Sequence, residues 1–251
     1  CSLGGGHFAV MAGPCSIESE EQFLKTAKFV TEKKASMVRG GIYKMRTKPE
    51  SFQGLGTEAL QLVQLMKSQI GAPFVAEITD TRQVDKLYPS VDCYQVGSRN
   101  MYNYELMKEL GRQDKPVLLK RGFSATVDEW LKAADYLVQG GNNGVILCER
   151  GIRSFDNKMR NLLDLASVAY LKEHCEFPVL VDPSHGTGLP EVIPAMTCAA
   201  IAAGADGIMV EVHPEPSKAL SDGFQALDFH RFEALMDQIQ PYIQLANKTL
   251  S

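Results

Sequence analysis

Eight short apolar runs recur along this chain, at 8–12, 37–42, 74–78, 93–97, 117–121, 144–149, 179–182 and 207–213. Each is of strand length and gives way to glycine, proline or charged residues. Between them, apolar residues return at helical spacing, as in Phe23, Ala27 and Val30, or Trp130, Ala133 and Leu137. A strand followed by a helix forces parallel pairing, because each crossover returns the chain to the same edge of the sheet. Eight such units close naturally into an α/β fold of the (β/α)8 TIM-barrel kind. An open doubly wound sheet is the alternative, but that fold usually carries GxGxxG after its first strand, and none follows here. Helix starts are marked at Ser19, ahead of Glu20 and Glu21, and at Thr126, ahead of Asp128 and Glu129. With no low-complexity run or linker, residues 1–251 are expected to form a single catalytic barrel domain.

Composition narrows the function. A net charge of −4 argues against a general nucleic-acid binder and leaves local basic patches open. No apolar run approaches the roughly 20 residues of a membrane span, and no basic leader precedes the first strand. The six cysteines (Cys1, Cys15, Cys93, Cys148, Cys175 and Cys198) are scattered and form no CxxC pair. In a chain able to bury a large core they read as reduced thiols, which implies a cytoplasmic protein. The start at Cys1, without Met, is expected of a processed or excised piece of a longer protein.

In such a barrel the active site lies at the carboxyl ends of the strands. Those ends are almost all ionisable: Cys15; Lys44 and Arg46; Glu77; Arg99; Lys120 and Arg121; Glu149, Arg150 and Arg153; Asp182 and His185; Glu211 and His213. Two constellations emerge. Lys44, Arg46, Arg99, Lys120, Arg150 and Arg153 converge on one mouth, where guanidinium forks match phosphate bidentately and lysines add point charge. For any one cation, pairing with a carboxylate such as Glu77 or Glu149 is an even alternative; for the whole set it is not. The second constellation is Cys15, His185, Glu211 and Asp222. Strand one closes against strand eight, with strand seven beyond, so three of the four start from neighbouring strands. A thiolate, an imidazole and two carboxylates suit a borderline divalent ion, Mn²⁺, Fe²⁺, Co²⁺ or Zn²⁺. Taken alone, Cys15 is more commonly a buried small hydrophobe. Asp182 alone could cap its turn or serve behind the metal.

Seven stretches carry a family resemblance: AGPCSIES (12–19), KMRTKPESFQGLG (44–56), VGSRNMYNYELMK (96–108), LLKRGFSAT (118–126), LCERGIRSF (147–155), VDPSHGTG (181–188) and VEVHPEPSKALSDGFQAL (210–227). In order and over nearly the whole chain, they resemble 3-deoxy-D-arabino-heptulosonate 7-phosphate (DAHP) synthase. The nearest group is the microbial one close to 3-deoxy-manno-octulosonate 8-phosphate synthase. The resemblance implies condensation of phosphoenolpyruvate with erythrose 4-phosphate to DAHP and phosphate, the first step of the shikimate pathway to aromatic amino acids. It implies Cys15, His185, Glu211 and Asp222 as ligands of one divalent ion, Mn²⁺ first. Arg99, Lys120 and Arg150 would hold phosphoenolpyruvate, with Lys44 near its reacting end, and Arg46 and Thr47 would bind the sugar phosphate. Glu77 would lie near phosphoenolpyruvate and a water, and Arg153 and Asp182 would complete the substrate site. Lys44 or Lys120 would handle protons, with Glu77 and His185 beside them.

One departure stands out. The family usually reads Lys-Pro-Arg-Thr where this chain has Lys44-Met45-Arg46-Thr47, so a fixed φ is lost and a backbone donor gained. The octulosonate relatives end this motif in Asn-Arg, so Arg46-Thr47 favours the four-carbon aldose phosphate. Metal-independent octulosonate relatives have Asn at the position of Cys15, which favours the metal-dependent type. The alternatives are an octulosonate synthase using arabinose 5-phosphate and a non-catalytic regulatory barrel. The resemblance also implies a homo-oligomer, tetramer or dimer, and a chorismate mutase as partner or fused domain.

Overall fold

The computed structural model describes residues 2–46 and 48–251. Its sheet is a closed barrel of eight parallel strands: β1 (His7–Gly13), β2 (Met37–Arg39), β3 (Phe74–Ile78), β4 (Cys93–Val96), β5 (Val117–Lys120), β6 (Val145–Glu149), β7 (Val179–Val181) and β8 (Gly207–Glu211). β1 pairs with both β8 and β2, which closes the ring. A two-residue strand, β9 (Thr249–Leu250), pairs with His7 and Phe8 at the opposite end from the strand tips. Every expected strand is present. β2 is shorter than the apolar run 37–42 predicts, stopping at Arg39.

The helices covering the barrel are α1 (Glu20–Glu32), α2 (Thr57–Ile70), α3 (Val84–Leu87), α4 (Tyr104–Gly111), α5 (Val127–Gln139), α6 (Leu165–His174), α7 (Pro183–Thr187), α8 (Ile193–Ala202) and α9 (Phe229–Leu245). Their starts have local causes. Ser19 accepts from Gln22 N–H to cap α1, and Thr126 and Glu129 form a reciprocal capping box on α5. α5 then buries Trp130, Ala133, Ala134 and Leu137, and the Trp130 indole N–H donates to the Leu119 carbonyl at 3.1 Å. One helix is thereby pinned to the strand it covers.

Alternation along the strands divides the core in two. Residues such as Val10, Val38, Tyr94, Leu119, Leu147 and Val210 point out beneath the helices. Inside, Met11, Met37, Val75, Cys93, Leu118, Cys148, Leu180 and Met209 form one apolar layer, with Ile146 below it. Two residues further along each strand direction comes the next inward position: Gly13, Arg39, Glu77, Gln95, Lys120, Arg150, Asp182 and Glu211. The barrel is thus plugged by hydrocarbon and floored by ionisable groups.

Candidate active site and metal group

That floor is nearly balanced in charge. Arg39 and Lys120 each pair with a floor carboxylate, Arg39 with Glu211 at 2.9 Å and Lys120 with Asp182 at 2.5 Å. Gly13 makes room for Arg39, since a Cβ there would stand 2.1 Å from the Arg39 carbonyl oxygen. Above the floor, loops add an excess of cations around a cavity of about 270 Å³. Lys44, Arg46 and Lys48 come from the loop after β2, Arg99 from the loop after β4, and Arg160 from the loop after β6; Glu77 and Arg150 reach in from below. Among the described residues, Lys44, Arg46, Lys48, Arg99 and Arg150 pair with no carboxylate, so the cavity wall carries uncompensated positive charge. Arg99 and Arg150 instead lie against the Phe123 ring, 5.4 and 4.7 Å from its centroid. Burial lowers the Arg150 guanidinium to about 10, which still leaves it charged near neutral pH, so an anion here would supply the partner that the protein does not.

The loop after β7 holds its histidine through one aspartate. Asp182 caps α7 by accepting from His185 N–H at 2.9 Å, and its Oδ2 lies 2.7 Å from His185 Nδ1 and 2.5 Å from Lys120 Nζ. Although burial opposes ionisation, the His185 ring and the Lys120 ammonium hold Asp182 well below the usual carboxylate range. Burial lowers His185, which favours the neutral ring. With Nδ1–H given to Asp182, Nε2 keeps its lone pair and faces Glu211 Oε1 at 3.3 Å and Asp222 Oδ2 at 4.0 Å.

Ligand atoms of Cys15, Glu211 and Asp222 all fall within 4.8 Å of one another. Cys15 Sγ is 3.6 Å from Asp222 Oδ2 and 3.1 Å from Lys44 Nζ. Burial and the Glu211 carboxylate push the Cys15 thiol up to about 11, and Lys44 and Arg39 pull the other way. Against its own burial, Glu211 is held down at about 2 by His185 and Arg39. A soft sulfur and two carboxylates gathered this closely, with an imidazole nitrogen turned toward them, fit a borderline divalent cation. Further contacts fix the two loops that carry these groups. The Ser16 and Ser221 hydroxyls hydrogen-bond, and Glu18 accepts from Leu220 N–H at 2.9 Å and meets His213 Nε2 at 3.3 Å.

Several expected residues stand elsewhere than at the cavity wall. Asp182, read as substrate-binding, is fully buried behind Lys120 and His185. Arg153 is exposed and lies against the Phe123 ring, 5.4 Å from its centroid, but is not among the residues lining the cavity. Glu149 and Arg121 face outward, where Arg121 also meets Asp164 at 2.9 Å; Glu149 is therefore not the counter-ion of the mouth cations. Thr47 lies outside the described residues. Arg39 and Gln225 were missed. Arg39 falls inside the apolar run 37–42 and not at its end, yet its period-two relation to Met37 places it inward. Gln225 follows Asp222 by one turn and carries no signal as a residue type.

The comparisons with known proteins agree. The DAHP synthetase I family profile matches residues 1–245. The chain is 44% identical over 238 residues to phospho-2-dehydro-3-deoxyheptonate aldolase of Thermotoga maritima, covering 95% of this chain and 70% of that protein. It is 31% identical over 251 residues to 2-dehydro-3-deoxyphosphooctonate aldolase of Acidithiobacillus ferrooxidans, covering 93% and 88%. The crystal structure of the Thermotoga maritima DAHP synthase superposes with a TM-score of 0.96 at 42% identity, covering 99% of this chain and 73% of that one. A truncated form of the Thermotoga maritima enzyme superposes with a TM-score of 0.92 at 39% identity, covering 99% and 91%. Matched by profile, sequence and fold, the chain belongs to the DAHP synthetase I family, within the group related to the octulosonate synthases.

Proposed function

We propose that this chain, residues 1–251 acting as one catalytic barrel, condenses phosphoenolpyruvate with erythrose 4-phosphate and water to give DAHP and inorganic phosphate. The observation that carries the reading is the row of unpaired cations standing beside the Cys15–Glu211–Asp222 group. Two phosphate-bearing substrates need such a wall, and an aldehyde electrophile needs such a group next to it.

In this reading Arg99, Arg150 and Lys120 hold the phosphate and carboxylate of phosphoenolpyruvate over the floor. Arg46 and Lys48, on the cavity wall, take the sugar phosphate. Fixing both anions aims C3 of phosphoenolpyruvate at the aldehyde carbon and removes the entropy of encounter. Cys15, His185, Glu211 and Asp222 would hold the divalent ion, taken here as Mn²⁺, which supplies Lewis-acid polarisation of a carbonyl. The new carbon–carbon bond leaves an alkoxide that needs a proton. Lys44 is placed to give it: its Nζ stands at the cavity wall, 3.1 Å from Cys15 Sγ and so beside the metal group. Water then adds at C2, and the carbon–oxygen bond to phosphate breaks with Arg99 and Arg150 already matching the leaving charge. Glu77, on the cavity wall and without a hydrogen-bond partner among the described residues, is placed to take the proton of that water. Asp182 keeps Lys120 and His185 in position.

Chelation tests the metal directly. Activity should vanish on exhaustive chelation and return with Mn²⁺, while undiminished turnover of chelated protein would refute the ligand set. The same reading carries a cytoplasmic setting, assembly as a dimer or tetramer, and a chorismate mutase as partner or fused domain. Sedimentation velocity of the chain, alone and with a chorismate mutase, decides the last two.

A further inference from the structure

Gln225 is fully buried, and both ends of its carboxamide are engaged. Its NH₂ donates to Glu211 Oε2 at 2.7 Å, and its oxygen accepts from Arg160 NH1 at 2.5 Å. The partners leave one orientation only, since a carboxylate cannot donate and a guanidinium cannot accept. The other Glu211 oxygen, Oε1, receives Arg39 and faces His185 Nε2. Arg160 itself lines the cavity and stands 3.7 Å from Asp222 Oδ2. The amide therefore joins a metal-group carboxylate to a cavity cation, and that cation reaches a second carboxylate of the same group.

The local fold explains the placement. Asp222 and Gln225 flank one 3₁₀ turn (Gly223–Gln225), in which residues three apart come to the same side. Asp222 takes the left-handed conformation, φ 47°, to enter that turn. A Cβ on Gly223 would stand 2.1 Å from the Pro216 carbonyl oxygen, so the turn is packed tightly on the preceding loop. Arg160 is fixed from its own side by its backbone N–H to the Thr187 carbonyl at 2.9 Å, in α7, which also carries His185.

We propose that Gln225 is a positioning residue that orients Glu211 for the metal and Arg160 for the substrate anion, so that occupancy of the two sites is linked. Metal binding fixes Glu211 and with it the amide, which holds Arg160 toward the cavity. Anion binding works back along the same bonds, as linkage requires of two coupled sites. Glutamine is the residue this needs. A glutamate would set a second carboxylate against Glu211, and a methionine of similar size would strand one lone pair and one guanidinium N–H.

The proposal rests on Glu211 being a metal ligand, and the test separates the two. Mn²⁺ is titrated calorimetrically into metal-free wild type, Gln225→Met, Arg160→Met, the double variant and Cys15→Ala, each with and without phosphoenolpyruvate. Thermal melts report folding. We expect Gln225→Met to weaken Mn²⁺ binding about 10- to 100-fold, the range for groups that orient a ligand. Phosphoenolpyruvate should tighten Mn²⁺ binding in wild type and lose most of that effect in Gln225→Met. Arg160→Met should also weaken Mn²⁺, and the double variant should lose less than the product of the single losses. Wild-type Mn²⁺ affinity in Gln225→Met, with Cys15→Ala impaired, overturns the role of Gln225 alone. Wild-type affinity in both overturns the metal site itself. If Gln225→Met does not fold, Arg160→Met still decides, because unchanged Mn²⁺ affinity and unchanged coupling there contradict the link.

Discussion

Glu77 occupies space that only a glycine leaves free. A Cβ on Gly97, the residue that follows β4, would stand 2.1 Å from Glu77 Oε1. Gly97→Ala must therefore push the carboxylate aside, and a displacement of an ångström at a reacting centre costs up to about a hundredfold. We expect kcat to fall between about ten- and a hundredfold in steady-state assays. KM for phosphoenolpyruvate should change little, because the arginines that hold it are untouched. An unchanged kcat would remove Glu77 from the proton path. Cys15→Ala is the sharper case. Removing one of the grouped donors should lower Mn²⁺ affinity by at least about a hundredfold while circular dichroism and melting stay near wild type, since the apolar layer of the barrel lies below it. Full metal occupancy of the variant would contradict the assignment.

At the scale of elements, the seam between β5, β6 and α6 shows a charge used for stability. Asp164 caps α6 by accepting from Ser167 N–H at 3.0 Å and pairs with Arg121, which also holds Glu149. Against partial burial, Ser167 and Arg121 keep Asp164 below its ordinary value. A carboxylate lowered on folding stabilises the protein above the unfolded value, about 3.9, and that contribution disappears as pH falls through the folded value. Asp164→Asn retains a good cap and removes the charge, so the loss should be about 1 kcal/mol at neutral pH. Denaturant melts of the pair should converge as pH falls through the folded value of Asp164. A difference independent of pH would assign the loss to the cap. The strands and this element order were legible in the sequence because apolar run length and helical spacing are local properties. Which strand-end residues face the cavity was less so. Lys120 and Arg121 are adjacent, as are Glu149 and Arg150, and the sequence reads all four as ionisable strand ends while assigning only Lys120 and Arg150 to the site. Period two sends one of each pair inward and the other beneath the helices, and counting from Leu118 and Cys148 would have separated them. Gln225 was beyond that reasoning, because its role depends on a turn folding Asp222 and Glu211 together.

For the whole molecule, the organising fact is the separation of charge by height. The chain is net negative, yet the barrel mouth is cationic above a floor whose charges nearly cancel. A site built this way is stabilised by what it binds. At about a hundred times its dissociation constant, a metal ion adds about 2.7 kcal/mol to the folded state. Chelation of metal-loaded protein should therefore lower the melting temperature by about 5–10 °C for a chain of this size, read by scanning calorimetry. No shift would mean that no ion was held. Among the described residues no helix is long and apolar enough to cross a membrane. Substrate choice is the property on which the whole arrangement converges. The most direct measurement is kcat/KM of the Mn²⁺ form with phosphoenolpyruvate and each of two aldehydes, erythrose 4-phosphate and arabinose 5-phosphate. We expect DAHP and inorganic phosphate to appear in equal amounts, with erythrose 4-phosphate preferred at least about a hundredfold, the discrimination of a site built around one substrate's polar groups. Preference for arabinose 5-phosphate, or turnover of neither sugar by metal-loaded protein, would contradict the assignment.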